Sequence, residues 1–341
     1  MHQLNPTTTI DNQLRRSTGS VDVDQANKMK VSYVASFWEE IGSHRKEVKA
    51  ALFANLHNPH IDQVVVFFDK KDNVGTCRDF RKDMIDLSQK IFGMAEEDYN
   101  ELLAHKLYCV DVKTGEPTFH QMFQNALSDV VTGDVVVLST GDMVFDETLS
   151  LARYLNPEVL LVLGTSGFTN KITPYIRYVY EKMIGTKYVT TNPKQDSWEN
   201  NRCHDSKYSW DTFIFHKKKL QNKLRKDDFK RLNQNNEMVY FYHNESGAMG
   251  AALWAVEQSY SFSSTYNACD RIHSWHFHLT PSTVKDREIP WLAVKDHDSP
   301  MFTPRGSVPK PWGGFYGLYP HPYARKDPDC VRTGNCFLDN E

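Results

Sequence analysis

Three groups of residues in this 341-residue chain have types and spacings suited to chemistry. The first is the stretch Gly133-Asp134-Val135-Val136-Val137-Leu138-Ser139-Thr140-Gly141-Asp142-Met143-Val144-Phe145-Asp146, an apolar run ending in two acids four apart. It reads as a buried central strand that delivers carboxylates to its C-terminal end, the edge where open α/β sheets keep their ligands. A carboxylate there is a hard oxygen ligand suited to Mg2+ or Mn2+, and such an ion can hold a diphosphate. Asp142 follows a wholly apolar strand, where an unpaired acid is expensive to bury, which favours a ligand role. Asp146, followed by Glu147, has the position of a helix cap or first-turn acid. The second group is Asp211 in the aromatic run Trp210-Asp211-Thr212-Phe213-Ile214-Phe215. Desolvation there suits a proton acceptor, and a strand-edge carboxylate accepting backbone hydrogen bonds fits the pattern equally. The third is His273, His276 and His278. In an extended chain His276 and His278 share a face and can point at one site, while a core or solvent-facing histidine is the plainer alternative for each.

The elements that must position these groups follow a strand–helix alternation. Val31–Phe37 reads as a first strand, Glu39–Asn55 as a helix through Ile41, Val48, Ala51 and Leu52, and Asp62–Asp69 as a second buried strand. Arg78–Phe92 has helical spacing, Leu107–Val110 is a short strand, and Phe119–Val130 a helix leading into the acid-ended run. A short helix over Glu147–Tyr154 and a buried strand over Val159–Leu163 complete a grammar that predicts a mostly parallel sheet with helical crossovers. Asn192–Tyr208 reads as a long polar loop. Gly247–Gln258 reads as a closely packed helix whose glycines either admit a ligand or only allow tight packing. Residues 1–27 are expected to form a flexible arm, and residues 286–341, rich in Pro, Gly and aromatics, an irregular C-terminal extension.

Composition bounds the function. The chain is 40% hydrophobic and 24% charged with a net charge of -3, an ordinary globular balance that argues against a nucleic-acid binder. The basic cluster Lys217-Lys218-Lys219 is expected on a solvated loop or helix face. No basic leader with an apolar core opens the chain and no run of 18 apolar residues occurs, so a cytoplasmic protein without a transmembrane segment is expected. Six cysteines are scattered without a Cys-x-x-Cys pair. This argues against structural zinc and makes free thiols the expectation, with a Cys330–Cys336 bridge left open.

The order of motifs resembles sugar-nucleotide-dependent glycosyltransferases of the GT-A type, in particular a group from viruses, algae and bacteria. The matching segments are Val31–Phe37, Arg45, Pro117-Thr118-Phe119, Ser139–Asp146, Ser209–Phe215, Gly247–Gly250 and Asn267–His278, covering roughly residues 29 to 285. The resemblance implies a single GT-A, Rossmann-like α/β domain over residues 28–285. It implies that Asp142, in a DxD-type motif relaxed to Gly-Asp-Met and preceded by Thr140 and Gly141, binds the metal and donor. It further implies Asp211 as catalytic base, His278 as a late metal or diphosphate contact joined by His276, and Trp210, Gly247 and Met249 as acceptor-side positions. Met249-Gly250 departs from the family's acidic residue followed by Asn. Tyr33, Ser36 and Phe37 at the end of the first strand are placed to meet base and ribose, and Arg45 to approach phosphate.

The expected activity is transfer of a sugar from a nucleoside-diphosphate donor, UDP favoured, to a hydroxyl of a glycan or other acceptor, with Mn2+ or Mg2+ and an inverting course. The ion would stabilise the departing diphosphate, and a base within hydrogen-bond reach would activate the acceptor. Two other readings compete. A metal-dependent phosphoesterase would use the Asp and His groups around two ions, and a non-catalytic nucleotide-sugar or carbohydrate-binding protein would keep the fold without turnover. Oligomeric state is not readable from the sequence.

Overall fold

A computed structural model describes residues 29–37, 43–69, 77–112, 117–164, 173–184, 210–221, 230–232, 238–240, 264–268 and 272–277. The arm expected over residues 1–27, the loop expected at 192–208, the helix expected at 247–258, His278, the expected C-terminal extension and the Cys330–Cys336 pair lie outside these residues.

Runs of β-branched and aromatic residues form the sheet. Its strands are β1 (Val31–Phe37), β2 (Gln63–Asp69), β3 (Leu107–Val112), β4 (Val135–Ser139), β6 (Val159–Gly164), β7 (Trp210–His216) and β10 (Ser264–Asn267); outside it, β5 (Met143–Phe145) pairs with β11 (Ser274–His276) and β8 (Lys230–Leu232) with β9 (Met238–Tyr240). They lie in the order β10-β6-β7-β4-β1-β2-β3. β3, β2, β1 and β4 pair in parallel, as do β6 and β10, while β7 runs antiparallel to both β4 and β6. The mostly parallel α/β sheet expected from the sequence is therefore present. From β1 the chain proceeds outward to β2 and β3 and then returns to the other flank of β1 as β4, so the sheet has a topological switch point between β1 and β4. A crevice forms outside the C-terminal ends of strands at such a point.

Every residue of β1 and β4 is buried because both sheet faces are covered. On one face Val31, Tyr33, Ala35 and Phe37 join a core with α1 (Ser43–Leu56), α2 (Cys77–Phe92), α3 (Glu96–Lys106) and α5 (Pro174–Ile184). On the other, Val34, Val65, Val136 and Leu138 pack with Phe119, Met122 and Phe123 of α4 (Phe119–Ala126). Helix α4 begins in a capping box in which Thr118 accepts from the Gln121 amide and the Gln121 side chain accepts from the Thr118 amide. Polar residues inside the sheet are matched. Ser32 Oγ donates to Gln63 Oε1 at 2.6 Å and accepts from the Gly133 amide at 2.9 Å. A Cβ on Gly133 would lie 2.5 Å from Ser32 Oγ and 2.6 Å from Ser32 N, so the approach to β4 requires glycine.

The structure revises several expectations. The acid-ended stretch is two strands, because the chain turns at Thr140–Asp142 before β5 (Met143–Phe145). The helix expected to reach Val130 ends at Ala126, and helices α3 and α5 were not foreseen. Lys217 to Leu220 form a one-turn helix, α6, but Lys217 is turned inward and donates to the carbonyls of Ser128 and Val131. Free thiols are contradicted at Cys77 and Cys109, which form a disulfide with a Cα–Cα distance of 5.6 Å. Folding sets the start of α2 against β3, where Asp111 accepts the Cys77 amide, so two residues 32 apart in sequence become neighbours. Disulfides form and persist mainly in oxidising compartments. No helix among the described residues is long and apolar enough to cross a membrane.

Candidate active site

The turn carrying Asp142 sits at the switch point. Strand β4 ends at Ser139, beside β1 in a register that pairs Ser139 with Ala35, and the next three residues fold back over the end of the strand. Gly141 allows this: a Cβ there would lie 2.8 Å from Val48 Cγ1 of α1 and 3.3 Å from the Ser36 carbonyl. The turn is thus pressed between the end of β1 and the first half of α1. Tyr33 holds it from beneath, donating its hydroxyl to the Thr140 carbonyl at 3.2 Å.

Asp142 is buried, with 5% of its surface exposed. Burial first and then the Asp142 charge push the Tyr33 phenol far above its ordinary pKa, a direction that locates the carboxylate close enough to disfavour a second negative charge. Tyr33 therefore stays protonated and remains a donor. Thr140 Oγ1 is buried without a hydrogen-bond partner among the described residues.

Strand β5 continues from Asp142 and pairs antiparallel with β11 (Ser274–His276), matching Met143 with His276 and Phe145 with Ser274. Beyond that pair, the Phe277 amide donates to the Asp142 carbonyl at 2.9 Å. The histidine-bearing segment and the acid, more than 130 residues apart in sequence, are therefore joined backbone to backbone.

Asp146 closes the other end of β5 and serves as the cap expected from the sequence. It caps a 3-10 helix, Glu147–Tyr154, accepting from the Thr148 amide at 2.9 Å, and its second oxygen lies 3.3 Å from His273 Nδ1. His273 is thus tied to the capping acid, and its amide donates to Thr148 Oγ1 at 2.8 Å.

Asp211 lies on β7, one residue beyond the Ser139–Thr212 pair, which brings its backbone to the end of β4 next to the Asp142 turn. The β6–β7 register shifts here, with Leu163 opposite Thr212 and Gly164 opposite Trp210, so Asp211 is the extra residue of a β-bulge. Bulges re-aim a side chain and are common beside active sites. Ser36 and Phe37 occupy the end of β1, but Phe37 is buried and stacks on Phe68 with ring centroids 4.7 Å apart. Tyr33 is likewise fully buried, its ring meeting Phe145 edge to face at 5.9 Å. Arg45 stands in the first turn of α1, whose N-terminus follows the C-terminal end of β1. A helix N-terminus in that place favours an anion.

Two kinds of residue near the site escaped the sequence reading. Glu47 of α1 is fully buried, and its charge adds to burial in raising the pKa of Tyr180, whose ring contacts Phe277 at 5.2 Å. Asn55 and Asn58 are also buried and bond to the backbone of β5 and Asp146. The available signal was a polar residue on an apolar stripe: Glu47 and Asn55 flank Val48, Ala51 and Leu52 at helical spacing.

Among the described residues no three His, Cys, Asp or Glu side chains cluster as a metal site. The described side chain at the turn that suits a hard divalent ion is the buried carboxylate of Asp142; His278, the other ligand expected from the sequence, lies outside the described residues.

No protein-family model matches the sequence, and neither does any curated protein. Among solved structures the chain is similar to a mannosyltransferase from Pyrobaculum calidifontis in complex with GDP-Man and Mn2+, at 12% identity and a TM-score of 0.32 over 63% of this chain. The aligned part spans 52% of that mannosyltransferase. It is also similar to glucosyl-3-phosphoglycerate synthase from Mycobacterium tuberculosis in complex with Mn2+, UDP and glucosyl-3-phosphoglycerate (10% identity, TM-score 0.33, 79% of this chain and 81% of that one). A third is 4-diphosphocytidyl-2C-methyl-D-erythritol synthase from Anaerococcus prevotii (15% identity, TM-score 0.31, 57% of this chain and 73% of that one).

Proposed function

We propose that this chain is a glycosyltransferase that moves a sugar from a nucleoside-diphosphate donor, UDP-linked by preference, to a hydroxyl of a glycan or other acceptor, with inversion. The observation that carries the reading is the hydrogen bond from the Phe277 amide to the Asp142 carbonyl, because it joins the acid and the histidine segment at the topological switch point.

Asp142, with His278, would hold Mn2+ or Mg2+, and His276 would lie on the same strand. The ion, when bound, would neutralise charge on the diphosphate as it leaves. The chain's own residues do the rest. Arg45 and the N-terminus of α1 receive the diphosphate, and Ser36, Thr140 and Gly141 line the approach of the nucleoside. Tyr33 and Phe37 act from the core side, Tyr33 by fixing the turn. Asp211, on its bulge, takes the proton from the acceptor hydroxyl as that oxygen attacks the anomeric carbon from the side opposite the diphosphate. Trp210, Gly247 and Met249 are the acceptor-side positions.

A thermal-shift screen of UDP- and GDP-sugars with and without Mn2+ tests donor recognition, the expected result being selective stabilisation by one nucleotide class only with metal. Transfer to an acceptor, followed with that donor, should fall by about 100-fold or more in Asp211→Asn, within the range of general-base contributions. Donor binding without turnover would instead identify a binding protein. Full activity of the Asn variant would remove Asp211 as the base.

A further inference from the structure

Strand β5 is three residues long and fully buried, and among the described residues it has a partner strand on one edge only. Its pairing with β11 and the Phe277–Asp142 bond use the backbone groups of residues 142 and 144, since alternate residues of a strand point their N–H and C=O to opposite edges. The groups of Met143 and Phe145 therefore face away from β11, into the protein. Buried backbone groups without partners are costly, so this edge needs donors and acceptors from somewhere.

Helix α1 and the turn after it supply them. Asn55 Nδ2 donates to the Met143 carbonyl at 2.8 Å, and Asn55 Oδ1 accepts the Phe145 amide at 3.2 Å. One side-chain amide thus takes the place of a neighbouring strand. Asn58 Nδ2 donates to the carbonyls of Phe145 and Asp146 at 3.0 and 3.2 Å. Asn58 is itself fixed, its side-chain oxygen accepting the His60 amide at 2.9 Å and its carbonyl accepting from Lys106 Nζ at 2.6 Å. On the other side of Asp142, Tyr33 holds the Thr140 carbonyl.

We infer that Asn55 and Asn58 are positioning residues for the metal-binding turn. This inference rests on the glycosyltransferase reading of Asp142, and adds that the location of the acid and of the β11 histidine segment is set by α1 through the outer edge of β5. The same helix presents Arg45 at its other end. The distance between the phosphate-binding end and the metal-binding turn is thereby fixed by one rigid element.

Asn55→Leu removes both bonds while keeping the same branched arrangement of side-chain heavy atoms, and Asn55→Asp keeps the acceptor for Phe145 but loses the donor to Met143. The measurements are amide hydrogen exchange at Phe145 and the Kd of the Mn2+·UDP complex by calorimetry. Met84→Ala, in the core of α2, serves as a variant destabilised away from β5. In Asn55→Leu the Phe145 amide is expected to exchange at least about tenfold faster, and Mn2+·UDP affinity to fall about tenfold, the lower end for residues that orient metal ligands. Asn55→Asp should fall between that variant and wild type, and Met84→Ala should keep wild-type affinity. Faster exchange with unchanged affinity, or an equal affinity loss in Met84→Ala, would overturn the positioning role. Wild-type protein that binds no Mn2+·UDP would instead overturn the reading of Asp142 on which the role rests. Should Asn55→Leu fail to fold, Asn58→Ala puts the same question, with faster exchange and weaker binding expected and unchanged binding contradicting it.

Discussion

Asp142 and Asp146 stand at the two ends of the same short strand and are almost equally buried, at 5% and 6% exposure. Asp146 is committed to structure: the Thr148 amide, the Thr148 hydroxyl and His273 all converge on its carboxylate. Asp142 lies at the sheet's C-terminal edge, inside a turn built from Gly141, Thr140 and Tyr33, and the effect of its charge is felt by Tyr33. Equal burial with such different neighbours teaches that burial of an acid does not identify a ligand. What separates the two is position: Asp146 caps the helix that follows β5, whereas Asp142 sits in the turn at the sheet's C-terminal edge, where α/β sheets keep their ligands.

The comparison can be broken by exchanging the behaviour of its two members. Asp142→Ala should weaken Mn2+·UDP binding by more than about a hundredfold, since even residues that only orient a metal ligand contribute 10–100-fold. Gly141→Val comes next. Its added side chain collides with Val48 and should cost about 1–3 kcal/mol of stability while displacing the acid, seen as lower Tm together with weaker binding. Asp146→Ala should show the converse of Asp142→Ala: a loss of about 1–2 kcal/mol, typical of a helix cap, with metal binding preserved. Should Asp146→Ala abolish metal binding and Asp142→Ala spare it, the assignment of the two acids would be reversed.

The smallest effect sharpens the contrast from outside the site. His57, just beyond the end of α1, packs among Phe53, Phe92 and Tyr99, and burial, then the Lys106 charge, lower its pKa to about 4. The ordinary value is 6.5. Between these values the unfolded chain carries a proton that the folded chain does not, so stability is intact above pH 6.5 and declines as pH falls toward 4. In His57→Phe this contribution to the decline should vanish when Tm is followed against pH, while binding at neutral pH stays unchanged.

Much of the sheet was legible because its strands are short apolar runs bounded by polar turns. Asp146 as a cap was also readable, since an acid followed by Glu147 and an apolar run is a local signal. The split of the acid-ended stretch was not: Val144 and Phe145 continue the apolar run, and only the packing of Gly141 against Val48 shows why the chain turns there. Helix α3 buries Tyr99 and Leu103 but is otherwise polar, which left its period weak. The Cys77–Cys109 bond depends on α2 lying against β3, a tertiary fact with no trace in cysteine spacing. Asn55 was hidden for a different reason. Its role arises only once β5 needs a partner on its second edge, and that need exists only after Asp142 has left the sheet.

The central claim is that a divalent ion and a nucleotide meet at the Asp142 turn. Paramagnetic broadening of backbone amide signals by Mn2+, with UDP present, locates that ion directly. Signals of Gly141, Asp142 and Phe277 should disappear first, while those of Asp134 and Leu220, at the opposite edge of the sheet, persist. Broadening that spares Asp142 and Phe277 and appears elsewhere, or no broadening beyond that of free Mn2+, would contradict the account.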